Sequence, residues 1–291
     1  MYLGLQVPSF TYSGEPAAIR TTLRDIAQAA EAGGFHSLWV MDHFFQMEML
    51  GGPDLEMLEG YTTLGYFAAL TERVKLGTLV TGVIYRHPGI LLKTVTTLDT
   101  LSGGRAYLGI GAAWYEREAR GLGVPYPPTA ERFARLEETL RIVHHAWSND
   151  AAAPFTGEYY QLTEPLINPM PLAQPHPPIM IGGMGENKTL RMVAQYADAC
   201  NFFMSAGPDV LRDKLNTLRR HCDALGRDYA GIEKTALGTI DPAMTAAEVI
   251  AQCRQAAALG FTHMIYNMPH IEHITPLEAL AQEVIPAIAD L

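Results

Sequence analysis

Eight short apolar runs alternating with amphipathic helical stretches predict an α/β fold, a (β/α)8 TIM barrel spanning residues 1–291 as a single domain. Each run is bounded by glycine, proline or a polar turn, as buried parallel strands are. The alternation is even and shows no division into two halves. That favours a closed ring over the leading alternative, a doubly wound open sheet.

The first strand is Leu3–Val7, with no basic stretch, apolar core and cleavage site of a secretory signal ahead of it. A helix follows, because Ile19, Leu23, Ile26, Ala27 and Ala30 recur at helical spacing and Gly33-Gly34 ends the pattern. Ser37–Met41 is the second strand and runs directly into Asp42-His43-Phe44. The third, Lys75–Val80, continues to Tyr85-Arg86-His87-Pro88, where Pro88 suits the first turn of a helix. The fourth, Ala106–Ile110, leads into Gly111-Ala112-Ala113-Trp114-Tyr115. A long gap then precedes the fifth strand. Within it Arg132–Trp147 reads as a helix through Leu136, Leu140, Val143 and His144, and Phe155–Gln161 reads as a small hairpin. Pro165 to Pro178 carries six prolines and no helix-compatible stretch. The expectation is an insertion between strands four and five, lying over the barrel mouth. Strands five to eight are Pro178–Ile181, Ala199–Phe203, Glu233–Leu237 and Thr262–Tyr266. Val249, Ile250, Cys253 and Ala257 mark the helix before the last strand, and Gly260 stops it.

A chain of 291 residues, 48% of them hydrophobic, can bury a large core. Its net charge of -10 disfavours nucleic acid, whose phosphates need clustered Lys and Arg. No run approaches the roughly 18 apolar residues that cross a bilayer, so no membrane partner is expected. Cys200, Cys222 and Cys253 are too few and too scattered for a disulfide framework or a zinc site, and read as buried, reduced thiols. The cytoplasm is the simplest compartment. Glu31 near His36, the His144-His145 pair, and His270 with His273 lack a third ligand at recognisable spacing, so no metal is expected. No Gly-x-Ser-x-Gly elbow and no cysteine with a histidine partner suggested by position is present, which disfavours acyl-transfer hydrolysis.

In a barrel of this kind, active groups sit at the C-terminal ends of the strands. Asp42 and His43 emerge there together. His43 can donate or accept a proton near neutral pH, or it is a histidine hydrogen-bonded within a loop. Arg86 and His87 either face an anion or solvate a helix start. The small residues around Ala112 and Ala113 leave room for a flat ring, or serve close helix–strand packing. The segment Pro178–Asn201 reads as strand, glycine turn at Gly182, Gly183 and Gly185, helix and second strand. Unpaired amides at such a turn and the positive helix end form an anion site suited to a phosphate-bearing cofactor. The loop from Met47 to Leu58 is rich in Met and Leu, which forms either an apolar pocket wall or a dimer contact.

Taken together, Ser37–Phe44, Lys75–Pro88, Ser102–Gly123 and Pro178–Asn201 resemble the bacterial luciferase-like superfamily of (β/α)8 oxidoreductases, over nearly the whole chain. Ser102–Glu118 and Pro177–Asn201 resemble its coenzyme F420-dependent branch; the superfamily's other cofactor is FMN. The resemblance implies a flat ring across the barrel mouth, backed by a third-strand bulge with a cis bond at Leu79–Val80. It places Asp42, Ala112, Ala113 and Arg117 at cofactor-contacting positions. It also sets the tail phosphate on amides of Gly182, Gly183, Met184 and Gly185. His43 matches the proton donor or acceptor. The implied chemistry is hydride transfer between the deazaflavin C5 and a small organic substrate. The alternatives are an FMN-dependent monooxygenase using reduced flavin and oxygen, and a barrel that binds its ligand without turnover. Met47 and Trp114 stand where the family's sugar-phosphate dehydrogenase has tryptophan and glutamate, and Arg117 replaces an asparagine. These departures disfavour glucose-6-phosphate oxidation. Relatives are commonly dimers, so a homodimer is implied.

Overall fold

The computed structural model describes residues 1–14, 16–148 and 153–291. In chain order the strands are β1 (Tyr2–Val7), β2 (Ser37–Val40), β3 (Lys75–Thr78), β4 (Thr81–Gly82), β5 (Ala106–Gly111), β6 (Phe155–Thr156), β7 (Gln161–Leu162), β8 (Ile179–Gly182), β9 (Ala199–Phe203), β10 (Glu233–Thr239) and β11 (His263–Asn267). The helices are α1 (Ile19–Ala32), α2 (Gly60–Leu70), α3 (Pro88–Ser102), α4 (Glu116–Gly121), α5 (Thr129–Ala146), α6 (Thr189–Tyr196), α7 (Pro208–Leu225), α8 (Ala246–Leu259), α9 (Thr275–Ala279) and α10 (Ile285–Ile288).

Five consecutive residues of β1 are buried, so the strand needs a neighbour on each edge and cover on both faces. It pairs with β2 on one side and β11 on the other. Parallel pairing then continues from β2 to β3, β5, β8, β9, β10 and back to β11, closing the eight-stranded barrel. Trp39, Tyr107, Met180, Ala199 and Ile265 fill its interior. The larger core lies between the strands and the surrounding helices, where α1 contributes Leu23, Ile26, Ala27 and Ala30. Among the described residues, no helix is long and apolar enough to cross a membrane. All three cysteines are buried and free, as their sequence context suggests.

Local chemistry sets where the helices begin. The Glu59 carboxylate accepts the Thr62 amide at 2.6 Å to cap α2. His87 Nδ1 accepts the Gly89 amide at 3.3 Å, capping α3 behind Pro88. Of the two alternatives for His87, the helix start is the one observed.

Two expectations change. The third strand ends at Thr78 and not at Val80: a bulge with a cis bond at Leu79–Val80 interrupts it, as the resemblance implies, the Leu79 amide still donates to the Val40 carbonyl at 2.8 Å, and β4 resumes beside β5. Side chains hold this bulge, because Thr81 Oγ1 bonds both Thr78 Oγ1 and the Tyr61 hydroxyl at 2.7 Å. The part of the insertion after β5 that follows α5, the hairpin and the proline-rich run, is held against α5 and α3 instead of lining the mouth, whereas Ala112, Ala113 and Trp114 do line it. Glu138 of α5 accepts the amides of Glu158, Tyr159 and Tyr160, and Asp99 of α3 accepts those of Leu172 and Ala173. These buried carboxylates bind the segment along the outside of the barrel. The route is forced, since β8 is parallel to β5 and must start again at the far end. Among the described residues from α5 to β8, Phe133 and Leu136 are the ones that line the mouth cavity before Gly182.

The bulge presses on β5 at Gly109, where an added Cβ would lie 2.0 Å from the Thr78 carbonyl oxygen. Gly109→Ala is therefore expected to destabilise the fold by about 1–3 kcal/mol or more. Chemical denaturation measures it, and an unchanged midpoint would contradict the close approach.

Candidate active site

The second strand delivers Asp42 and His43 to the mouth, and each is met by a residue far away in sequence. Asp42 is 3% exposed. Arg86 reaches it in a two-pronged pair, Nη1 to Oδ2 at 2.8 Å and Nη2 to Oδ1 at 2.9 Å, and the Gly82 amide adds a bond at 3.3 Å. Arg86 also donates to Glu59 and lies 4.8 Å from the Tyr61 ring centroid. Burial pushes the Asp42 carboxyl up, and the guanidinium opposes that shift. Burial likewise works against the Arg86 charge, but the bonds and charges of its carboxylate partners raise its pKa above the ordinary value. Arg86 is thus neither free for an anion nor merely solvating a helix start. It fixes Asp42, which lines the cavity with both oxygens engaged.

His43 points its Nδ1 at Glu118 Oε1, 2.7 Å away. The Glu118 side chain has no solvent exposure, and it also accepts the amides of Phe44 and Phe45 at 2.7 and 3.2 Å and the Tyr85 hydroxyl. Burial alone would raise this carboxyl; the His43 bond and charge, Tyr85 and the Phe44 amide bring it below the usual range. An ionised carboxylate only accepts, so Nδ1 carries the proton and Nε2 is the ring's other working nitrogen. Trp114 and Tyr115 meet the imidazole edge-on at 5.5 and 5.7 Å. Sequence reasoning missed Glu118. Its only signal is an acid one turn beyond the mouth aromatics.

Two adjoining chambers open at the mouth. The first, about 300 Å³, is lined by the Leu79–Val80 bulge and Gly82 and by Gly111, Ala112, Ala113, Gly182 and Gly183. These short walls suit a flat ring. Among the described residues the Val80 amide has no acceptor, which leaves it as a donor for such a ring. Ala113 adopts a left-handed φ of 61°, an uncommon state for a residue with a Cβ. The second chamber, about 930 Å³, shares His43, Leu79, Trp114, Phe203 and Leu237 with the first. Met47, Met49 and Leu50 line it, so this part of the Met-rich loop is a pocket wall.

The glycine turn is only partly as expected. β8 extends to Gly182, and the Gly183 amide donates to the Asn201 carbonyl at 3.2 Å, so that amide serves the sheet. The Met184 and Gly185 amides have no such acceptor among the described residues but lie outside the cavity lining, where Thr189 joins Gly182 and Gly183. Unpaired amides next to short walls fit a flat cofactor with an anionic tail. Arg117 stands apart, exposed and paired with Glu48 at 2.8 Å, outside the lining of both chambers. At the opposite end of the barrel His36, Glu233 and His263 bring ligand atoms within 4.8 Å of one another, a grouping not apparent from sequence. His263 already uses both nitrogens, on Glu233 and Ser37.

Glu118→Gln is expected to lower stability by about 2–3 kcal/mol at neutral pH, since a carboxamide cannot accept all four bonds. Because the folded-state pKa is depressed, this stabilisation is present above the ordinary value of 4.5 and is lost as pH falls below it. Urea unfolding across that range checks it, and a pH-independent difference from wild type would contradict the ionised assignment.

The sequence profile of the luciferase-like monooxygenase family matches residues 4–283. A Kineococcus radiotolerans protein named F420-dependent glucose-6-phosphate dehydrogenase is 32% identical over 270 residues, 89% of this chain and 77% of that protein. One of the same name from Nakamurella multipartita is 36% identical over 207 residues, 70% of this chain and 59% of that protein. An F420-dependent secondary alcohol dehydrogenase solved with an F420–acetone adduct superposes with a TM-score of 0.80 at 20% identity, covering 100% of both chains. A monooxygenase from Streptomyces bottropensis gives the same TM-score at 18% identity, covering 98% and 99%. At those identities the structural likeness is one of fold. The profile runs through both the Asp42-His43 strand end and the glycine turn, and the chain belongs to the luciferase-like monooxygenase family.

Proposed function

We propose that this chain is a coenzyme F420-dependent oxidoreductase transferring hydride between the deazaflavin and a small organic substrate, in either direction. One observation carries the reading: His43 lines both chambers while Glu118 holds its Nδ1, so Nε2 is the nitrogen left to work where they meet. The relatives named as F420-dependent dehydrogenases support the same cofactor.

A bound deazaflavin supplies two-electron hydride chemistry at C5. The chain's own residues do the rest. Leu79, Val80, Ala112, Ala113, Gly182 and Gly183 would hold the ring, with the Met184 and Gly185 amides beneath the tail phosphate. Asp42, fixed by Arg86, keeps the Gly82 turn in place. His43 Nε2 accepts a substrate hydroxyl proton during oxidation and returns it during reduction, with Glu118 stabilising the charged ring. Trp114 and Phe203 restrict water. The proposal includes a cytoplasmic homodimer; Ile90 and Leu101 of α3 are exposed apolar side chains that such a contact would cover.

An FMN-dependent monooxygenase is the second reading, since FMN is the superfamily's other cofactor and the matching family profile is that of luciferase-like monooxygenases. Titrating the cofactor-free protein with each compound separates the two. Quenching of deazaflavin fluorescence at micromolar protein, with weak or no FMN binding, is expected; the reverse order would overturn the first reading. His43→Ala should keep cofactor affinity while turnover falls by about 10²–10⁴-fold. Gly183→Trp should block cofactor binding. Both variants behaving as wild type would show the pocket to be wrongly assigned.

A further inference from the structure

The second chamber is apolar on its walls, through Met41, Met47, Met49, Met204, Trp114 and Phe203, and polar on its floor. None of the described residues lining it is Asp, Glu, Lys or Arg. A phosphate or carboxylate entering such a site would be desolvated without a counter-charge. At the floor, Gln6 of β1 and Asn267 of β11 are register partners on adjacent strands, and Thr239 of β10 lies beside Asn267. Gln6 is 1% exposed, and its Oε1 and the buried Asn267 Oδ1 have no hydrogen-bond partner among the described residues. Buried polar side-chain atoms nearly always have a protein or water partner, and two unpartnered carboxamide oxygens lining a cavity cost stability unless water or a ligand completes them. The opposite end of the barrel shows the contrast. There Trp39, Ser37, His263, Glu233 and Tyr107 form an unbroken chain of bonds.

A carboxamide donates and accepts at once, and two side by side match a group that does the same, a hydroxyl. We propose that Gln6 and Asn267 form a binding site for a second, non-reacting hydroxyl of the substrate. The substrate is then an uncharged, largely apolar alcohol, or its carbonyl form, carrying that extra hydroxyl, and not a sugar phosphate. This rests on the oxidoreductase reading for the reacting group at His43, whereas the floor site can be tested without cofactor.

The probes are cyclohexane-1,4-diol, cyclohexanol and glucose 6-phosphate, followed by calorimetry and Trp114 fluorescence on cofactor-free and F420-loaded protein. The diol should bind at least about tenfold tighter than cyclohexanol, and glucose 6-phosphate weakest. In the Gln6→Leu/Asn267→Leu double variant that preference should vanish, F420 affinity should stay unchanged, and Tm should rise because two orphaned carboxamides are gone. A lowered Tm or failure to fold would show the pair to be structural and overturn the proposal. Equal binding of diol and cyclohexanol by the wild type would overturn it too, as would a preference for the sugar phosphate. Loss of F420 binding to the wild type would instead defeat the cofactor reading and leave the floor result to stand by itself.

Discussion

One buried carboxylate organises the mouth of this barrel. Glu118 sits on the short helix after β5, yet its donors come from the loops after β2 and β4: His43 Nδ1, the Phe44 and Phe45 amides, and the Tyr85 hydroxyl. A carboxylate without solvent exposure is tolerable only when such donors replace water. The same requirement fixes the imidazole, because a ring held at Nδ1 cannot turn away from the chambers. Asp42 repeats the logic beside it, with Arg86 and the Gly82 amide as its donors.

These two ionic clusters divide the mouth. Charge is confined to the rim of the first chamber, where Asp42 and Arg86 meet, and is absent from the described lining of the second. A flat ring suits the first, with its short walls and the unpaired Val80 amide; a neutral molecule suits the second. His43 belongs to both. The proposed division would give a common barrel its own substrate preference without altering the cofactor side.

Much of the barrel is legible in the sequence because apolar runs and helical stripes are local. β9 matches its predicted span, and most other barrel strands differ by a residue or two at their ends. The strand-end pair Asp42-His43 is legible for the same reason. The break in β3 follows from the family resemblance rather than from residue pattern. What escaped notice is non-local. Glu118 lies 75 residues from His43, and Arg86 lies 44 from Asp42, with no spacing rule to join them. Gly183 reads as a free amide because β8 runs one residue further than its apolar stretch suggests, which engages that amide in the sheet. The course of the insertion depends on Asp99 and Glu138, whose partners lie 73 and 20–22 residues further along the chain. Gln6 is visible as the polar residue of an apolar strand, but its meaning appears only when Asn267 stands beside it.

The assignment of the first chamber to a deazaflavin is tested most directly by the absorbance spectrum of whatever copurifies with the protein from a host that makes both F420 and FMN. A deazaflavin spectrum, lost when Gly183→Trp protein is purified in the same way, is the result predicted. A flavin spectrum from the wild-type protein would contradict it.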